Sequence, residues 1–153
     1  MTDIIIIRAD ELIEHVRQRP VAAVLSIEHP GVTPESPGYA PRLSDHAIQT
    51  PQKILSFWDL PVTIAGTDER QQIEDGLRFA LDHLKKGDVI IHCRAGKSRS
   101  TAVALGVMAL YHPQMSEKDL VEKLMSIRDV AAPNPMVLAM VDEIAGRGGR
   151  LIQ

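Results

Sequence analysis

The sequence predicts a single α/β domain over residues 1–150, with a central, mostly parallel sheet of about four or five strands flanked by helices. Two observations predict this class. Apolar β-branched runs alternate with amphipathic helical patterns, and the run that ends at residue 92 leads through a short loop into an almost wholly apolar helical segment. At 153 residues the chain can bury one core but is short for two domains.

The N-terminal part predicts a β-α-β unit. Residues 3–7 indicate a first strand, and Asp10 is the expected N-cap of a helix that continues to Arg19. Pro20 ends that helix, and the apolar run over residues 21–27 is typical of a strand buried on both faces. This order of elements favours a parallel sheet covered by helices.

Residues 28–52 contain five prolines and predict a long loop, because neither a regular helix nor a central strand tolerates so many. Such a loop is either a functional lid or binding surface, or a mobile connector. For His29 and His46, which lie in it, we expect a solvated or hydrogen-bonded role rather than catalysis. No spacing resembles a metal site, so we expect neither a metal nor another cofactor.

Further strands and helices follow. Residues 54–58 predict a strand that runs into Asp59, which either projects over an active site or starts a turn before Leu60 and Pro61. Thr67 or Asp68 is the expected N-cap of the next helix. The remaining expectations are a helix over 69–84, a strand over 89–92, helices over 98–111, over 117–127 and from residue 135, and a frayed glycine-rich tail from residue 146.

The stretch from His92 to Ser100 places the chain's only cysteine between a strand and the most apolar helix. Near a helix N-terminus and beside cations, the Cys93 thiol is expected to have a depressed pKa and to be a thiolate nucleophile. Gly96 lets the short loop curl so that its N–H groups form an anion nest. The Arg99 fork can hold two phosphate oxygens, and Ser100 can donate a hydrogen bond to the sulfur. His92, behind the loop, is expected to orient the backbone and tune the thiol.

Other interpretations of this stretch explain it less well. A lone cysteine without such neighbours would more often be a buried small hydrophobe. Gly96-Lys97-Ser98 resembles the end of a nucleotide-binding loop, but Ile91 stands five residues before Gly96, where that motif requires glycine. A zinc or thioredoxin-like site would need a second cysteine.

Charge and composition restrict the class of partner. The formal charge of −3 argues against nucleic-acid binding, whereas the local cluster of Arg94, Lys97 and Arg99 indicates a small anionic target. The isoleucine run near the N-terminus is too short for a signal core, and the longest apolar run, 101–111, falls short of the ~20 residues that a membrane span needs. With a single cysteine, these features predict a cytoplasmic protein without stable membrane insertion. They do not predict an oligomeric state.

The pattern His92-Cys93-x5-Arg99-Ser100 resembles the HCx5R[ST] signature of the cysteine-based protein tyrosine phosphatase superfamily. Chain length and the position of the motif are similar to the small dual-specificity branch, and Pro133-Asn134 after Arg128 resembles a segment that follows the signature helix there. The resemblance covers roughly residues 50–145. It implies the phosphatase fold, with the nucleophile loop between a central strand and a buried helix.

The resemblance also implies a role for each position. Cys93 would attack phosphorus to form a phosphocysteine, and Arg99 would bind the phosphoryl group together with the loop residues Arg94, Ala95, Gly96, Lys97 and Ser98. An upstream aspartate would protonate the leaving oxygen and then activate water. We assign that role to Asp59, which leaves a strand in the appropriate part of the sheet, rather than to Asp68, for which capping is available. A straightforward alignment places the acid near residues 63–64, which are Thr and Ile here.

The resemblance leaves three functions open. The first is a protein tyrosine or dual-specificity phosphatase. The second is a phosphoinositide, inositol phosphate or phosphatidylglycerophosphate phosphatase, because Arg94 and Lys97 make the loop unusually basic and few aromatic residues are available to stack on a phosphotyrosine ring. The third is a pseudophosphatase that binds phosphorylated partners without turnover. The expected partner is therefore a phosphorylated protein or a small phosphomonoester.

Overall fold

Four parallel strands form the centre of the structure, a computed structural model that describes residues 3–60 and 68–152. They are Ile4–Arg8 (β1), Ala23–Glu28 (β2), Gln52–Ser56 (β3) and Val89–Cys93 (β4), in the spatial order β1-β4-β2-β3. The helices are Leu12–Gln18 (α1), Glu69–Leu84 (α2), Arg99–Tyr111 (α3), Glu117–Ile127 (α4) and Pro135–Ala145 (α5). The predicted α/β class with a parallel sheet is confirmed, and β4 lies between two other strands as expected.

The two faces of the sheet pack against different parts of the chain. On β4, Val89, Ile91 and Cys93 belong to the larger core, which the sheet shares with α2, α3, α4 and α5. Ile90 belongs to a second core, formed with α1 and the segment that follows β2. Because side chains alternate along a strand, His92 lies on the same face as Ile90, opposite Cys93.

Helix α3 is buried along nearly its whole length, which confirms the expectation of a helix in the middle of the protein. Its tightest contact is with α5 at Gly106. A Cβ atom there would lie 2.7 Å from the Cβ of Val141, so only glycine permits this approach. The core on both sides of α3 therefore holds its N-terminus, where the cysteine loop ends.

Two predicted starts of elements are corrected. Asp10 is not the N-cap of α1, because a 3-10 turn over Ala9–Glu11 precedes that helix. The Glu11 carboxylate accepts the Arg8 amide at 2.9 Å, while Asp10 accepts from Nε of Arg8. Strand β3 spans Gln52–Ser56 rather than 54–58, so Phe57 and the two residues after it lie beyond the end of the strand.

The assignment of a capping role to Asp68 is also corrected in part. Helix α2 begins at Glu69 as predicted and Asp68 occupies the N-cap position, but its side chain makes no capping bond to the backbone. Its carboxylate instead accepts from Nε2 of Gln72 at 2.7 Å. The alternative cap, Thr67, and residues 63–64 lie outside the described residues.

The prediction of a frayed tail is wrong. Arg147 is buried and donates to the carbonyl oxygens of Met115, Ala109 and His112 and to the Glu117 carboxylate. The Asp142 carboxylate accepts from the amides of Gly149 and Leu151. The prediction relied on the glycines of this tail, but the tail is held in place by side chains of the tail itself and of α5.

The proline-rich segment after β2 is the predicted loop, with one 3-10 turn over Leu43–His46. It is packed against the protein, because Ala40 and Leu43 are almost fully buried. Glu28, at the end of β2, accepts from the Arg42 guanidinium and from the Ala40 amide. Within residues 3–60 and 68–152, no helix is long and apolar enough to span a bilayer.

Candidate active site

The loop between β4 and α3 brings together most of the residues predicted for the site. Cys93 is the last residue of β4, and Arg99 and Ser100 are the first two residues of α3. The two ends of the motif are thus parts of rigid elements, and only residues 94–98 must turn. Cys93, Arg99 and Ser100 are all buried.

The Cys93 thiol has an environment suited to a thiolate. Its Sγ lies 3.2 Å from the hydroxyl oxygen of Ser100. Burial by itself raises the pKa of the Cys93 thiol, but the Ser100 hydroxyl and amide, the charge of Arg99 and the Gly96 amide lower it, and the net shift is downward. The thiolate is therefore favoured relative to an ordinary cysteine.

Every carbonyl from Arg94 to Ser98 accepts a hydrogen bond from a donor outside the loop or further along α3. Ala9 donates its amide to Arg94, and the Arg128 guanidinium donates to Ala95 and Gly96, both at 3.0 Å. The amides of Ala132 and Asn134 bind the carbonyls of Lys97 and Ser98.

The direction of these carbonyls decides what the loop can bind. In a trans peptide the N–H points opposite to the C=O, and the described chain has no cis peptide bond. Because carbonyls 94–98 bind donors outside the loop, the amides of residues 95–99 point to its interior. This row of N–H groups is an anion nest.

Gly96 is required where the loop passes closest to β1. It has a φ of +67°, and a Cβ atom there would lie 2.8 Å from the carbonyl oxygen of Ile7. Any side chain would thus be strained in conformation and clash with the backbone. The predicted role of this glycine in loop curvature agrees with its geometry.

The Arg99 guanidinium uses one of its N–H donors and leaves another without a partner in the described part of the chain. Its Nη1 donates to the Phe57 carbonyl at 2.8 Å, whereas its buried Nε has no partner within the described part of the chain. Burial lowers the pKa of Arg99, and the charges of Cys93 and Asp59 raise it. An arginine stays protonated through such shifts, so a cation with an unused donor lies beside the thiol.

Asp59 lies at the edge of the same loop. Its Oδ1 accepts from the Ser98 hydroxyl and from Nδ2 of Asn134, both at 2.7 Å. Asn134 also donates to the Leu60 carbonyl and accepts from the Val137 amide as the N-cap of α5. The structure therefore brings Asp59 to the cysteine loop.

Sequence reasoning missed the two residues that organise these contacts. Arg128 and Asn134 were noted only as part of the resemblance, with no role assigned. Arg128 supports the back of the loop and Asn134 links Asp59 to α5. The sequence signal was weak, since a single arginine and a helix-capping asparagine are common in any protein.

His92 lies behind the loop, as predicted. It is fully buried, its Nε2 lies 2.7 Å from the Ser26 hydroxyl, and its Nδ1 lies 3.4 Å from the Cys93 carbonyl oxygen. Burial lowers the pKa of His92 to about 4, against a smaller opposing effect of the Cys93 hydrogen bond. His92 is therefore neutral at pH 7.

Two kinds of exposed group border the loop. Arg94 and Lys97 are exposed, and the side chain of Arg94 packs on Gly38 of the proline-rich segment. The ring of His29 packs against exposed Trp58, with centroids 5.0 Å apart. Burial and the charges of Arg99 and Arg94 lower the pKa of His29, and Asp59 raises it. His29 is thus half-buried close to the charged groups of the loop.

No protein-family model matches the chain, and a comparison with curated proteins finds no match. Solved structures do match. Human DUSP28 has a TM-score of 0.67 at 17% identity, over 94% of this chain and 92% of that one. PTPMT1, also solved in complex with PI(5)P, has 0.69 at 20%, over 95% and 90%. Human tyrosine phosphatase-like serine/threonine/tyrosine-interacting protein has 0.66 at 16%, over 94% and 91%. The chain therefore has the dual-specificity-phosphatase fold.

Within residues 3–60 and 68–152 there is no cluster of three or more His, Cys, Asp or Glu side chains that could hold a metal ion. The arrangement around Cys93 combines a buried thiol, an anion nest, a cation and a carboxylate.

Proposed function

We propose that this protein hydrolyses phosphomonoesters through a phosphocysteine intermediate. The observation that carries the proposal is the row of inward amides at 95–99, between the Cys93 thiol and the free Nε of Arg99. Three phosphate oxygens fit the donors, and phosphorus would then face the sulfur. The fold of the solved phosphatases supports this function.

The proposed reaction has two steps. The Cys93 thiolate attacks phosphorus as the ester P–O bond breaks, and Asp59 gives its proton to the leaving oxygen. Asp59, now a carboxylate, takes a proton from water, which attacks phosphorus and releases inorganic phosphate. The Ser100 hydroxyl, 3.2 Å from Sγ, stabilises the departing thiolate in the second step. The Arg99 guanidinium and the inward amides of residues 95–99 hold the phosphoryl oxygens throughout, and His92 supports the Cys93 backbone.

Hydrolysis of p-nitrophenyl phosphate tests the proposal. We expect turnover by the wild type and a loss on the order of 10⁴-fold or more in Cys93→Ser. Because Cys93 is the only cysteine, acid quenching during turnover should show one phosphate attached at this residue by mass spectrometry. A wild type that binds inorganic phosphate without turnover would refute the enzyme and favour the pseudophosphatase.

We infer that phosphotyrosine in proteins is the first candidate substrate, as for a protein tyrosine or dual-specificity phosphatase. The pair of His29 and Trp58 supports it. Trp58 directly precedes Asp59, and its exposed ring packs against His29, which is near enough to Asp59 to interact with its charge. A flat aromatic leaving group could stack there. Sequence reasoning found no such stacking residue, because His29 and Trp58 are distant in sequence.

A phosphoinositide or other phospholipid headgroup is the second candidate, favoured by a different observation. Arg94 and Lys97 are both exposed, and their side chains could bind further phosphates of one substrate. The solved complex of PTPMT1 with PI(5)P shows that a protein with this fold can hold such a ligand.

One substrate panel with two variants separates the candidates. We expect Trp58→Ala to lower kcat/KM for phosphotyrosine peptides about tenfold and to leave phosphatidylinositol phosphates unaffected. Lys97→Ala should lower kcat/KM for a multiply phosphorylated lipid headgroup and leave the peptides unaffected. If only Lys97→Ala has an effect, and the lipid is the better substrate, the second candidate replaces the first.

A further inference from the structure

A chain of hydrogen bonds, buried at Ser26 and His92, joins the proline-rich segment to Cys93. Nε2 of Gln52, at the start of β3, lies 2.9 Å from the Ser26 hydroxyl oxygen on β2. That oxygen lies 2.7 Å from Nε2 of His92 on β4, whose Nδ1 lies 3.4 Å from the Cys93 carbonyl oxygen. Three strands thus contribute one residue each to a path that ends at the residue carrying the thiol.

Backbone groups determine the polarity of both ends of this chain. The Gln52 side chain accepts the Leu43 amide at Oε1 and donates to the Pro41 carbonyl from Nε2, both at 2.9 Å. An amide N–H can only donate and a carbonyl can only accept, so the orientation of the Gln52 amide is not ambiguous. Gln52 must therefore donate to Ser26.

At the other end, the Cys93 carbonyl can only accept, so Nδ1 of His92 must carry a hydrogen. A neutral imidazole then has no hydrogen on Nε2, and this atom accepts the one hydroxyl hydrogen of Ser26. All four groups are satisfied in this single direction, from Gln52 through Ser26 and His92 to the carbonyl of Cys93.

We propose that Gln52 and Ser26 are positioning residues of the active site, which hold His92 in the tautomer with hydrogen on Nδ1 and so fix the Cys93 peptide. The proposal rests on the proposed role of Cys93 as the nucleophile. The orientation of this peptide sets how Sγ meets the Ser100 hydroxyl and the loop amides. If this peptide changes orientation, the Cys93 thiol loses those hydrogen-bond donors but stays buried. The thiolate then becomes less favourable.

Alkylation of Cys93 by iodoacetamide as a function of pH tests the effect on the thiol, with no signal from any other cysteine. We expect Ser26→Ala and Gln52→Leu each to raise the midpoint by about 0.5 to 1 pH unit, so that alkylation at pH 6 slows about three- to tenfold. Ser26→Thr keeps the hydroxyl and should keep the wild-type midpoint. Unchanged midpoints in both Ser26→Ala and Gln52→Leu would overturn the proposal.

Gln72→Ala is a matched control. Gln72 also binds both backbone groups of a β3 residue, Ser56, through its side-chain amide, but it has no link to His92. We expect this variant to lose a similar amount of stability without a change in the midpoint. An equal midpoint shift in Gln72→Ala would mean that any damage to β3 acts on the thiol, and would overturn the specific role of Gln52.

Nitrogen NMR of His92 in the wild type tests the tautomer without any substitution. Its result therefore holds even if one of the variants fails to fold. We expect the hydrogen on Nδ1 at pH 7, and a hydrogen on Nε2 overturns the proposal. Neither readout requires turnover, so the absence of phosphatase activity would refute the proposed function while leaving this test interpretable.

Discussion

The cysteine loop and the segment carrying Asp59 meet at one site but are held in different ways. The loop joins two buried elements, and four residues behind it donate hydrogen bonds to its carbonyls: Ala9, Arg128, Ala132 and Asn134. Asp59 follows a strand on an exposed stretch, where two side-chain donors, from Ser98 and Asn134, bind one of its oxygens. Cys93 and the anion nest are therefore built into the fold, whereas the position of Asp59 depends on a few long-range side-chain contacts.

The largest expected effect concerns Asp59, which is held by fewer contacts than the cysteine loop. We expect Asp59→Asn to reduce kcat on phosphotyrosine peptides about 10²- to 10³-fold, because the leaving oxygen must then depart unprotonated. The reduction should be much smaller for p-nitrophenyl phosphate, whose leaving group needs little protonation. Steady-state kinetics of both substrates gives the ratio. Asp68→Asn is the control, and a larger loss there would move the acid role to Asp68.

Removing the support behind the loop should have an intermediate effect. Arg128→Ala takes away two hydrogen bonds, to the carbonyls of Ala95 and Gly96, and the nest loses part of its pre-organisation. We expect kcat/KM to fall about tenfold for every substrate, independent of the leaving group. The control is Arg70→Ala, at one of the exposed arginines of α2, and it should have no effect. A loss that depended on the leaving group would show that Arg128 acts on the acid instead.

Asn134→Ser separates the two functions of this asparagine. Serine is a good N-cap, so α5 should keep its stability, but the donor to Asp59 is lost. We expect kcat on phosphotyrosine peptides to fall about fivefold, with p-nitrophenyl phosphate hardly affected, because only the acid loses a contact. The thermal unfolding midpoint shows whether serine keeps the N-cap of α5 intact. Equal losses on both substrates would contradict a role of Asn134 in holding the acid.

The smallest expected effect is a shift in pH dependence. The thiolate is present above the pKa of Cys93, so kcat/KM is lost as pH falls through that pKa. Ser100 lowers the pKa of this thiol, and Ser100→Ala should therefore move the acid limb of the profile upward by about 0.5 pH unit. Ser126→Ala, at an exposed position of α4, is the control. A profile that stays in place would mean that Arg99 and the loop amides alone stabilise the thiolate.

Most of the fold was predictable because the spacing of apolar residues and the positions of proline and glycine act on neighbouring residues. Helix α2 begins and ends where predicted, and the buried strand before Cys93 and the buried helix after it are both present. The errors have two causes. Asp10 and Asp68 bind neighbouring side chains, those of Arg8 and Gln72, instead of capping the helix backbone. The tail after Gly146 has partners that are distant in sequence, such as Glu117 for Arg147.

The candidate site also has one part that the local sequence determines and another part that it does not. From Cys93 to Ser100 the sequence by itself determined that a cysteine, a glycine turn and an arginine meet, because a strand, a short loop and a helix place contiguous residues around one point. Only the tertiary structure decided that Arg128 supports the loop and that Asn134, 75 residues away, holds Asp59. It likewise decided that Gln52 and Ser26 lie behind His92. These contacts depend on strand order and helix packing, which the whole core establishes and no local spacing encodes.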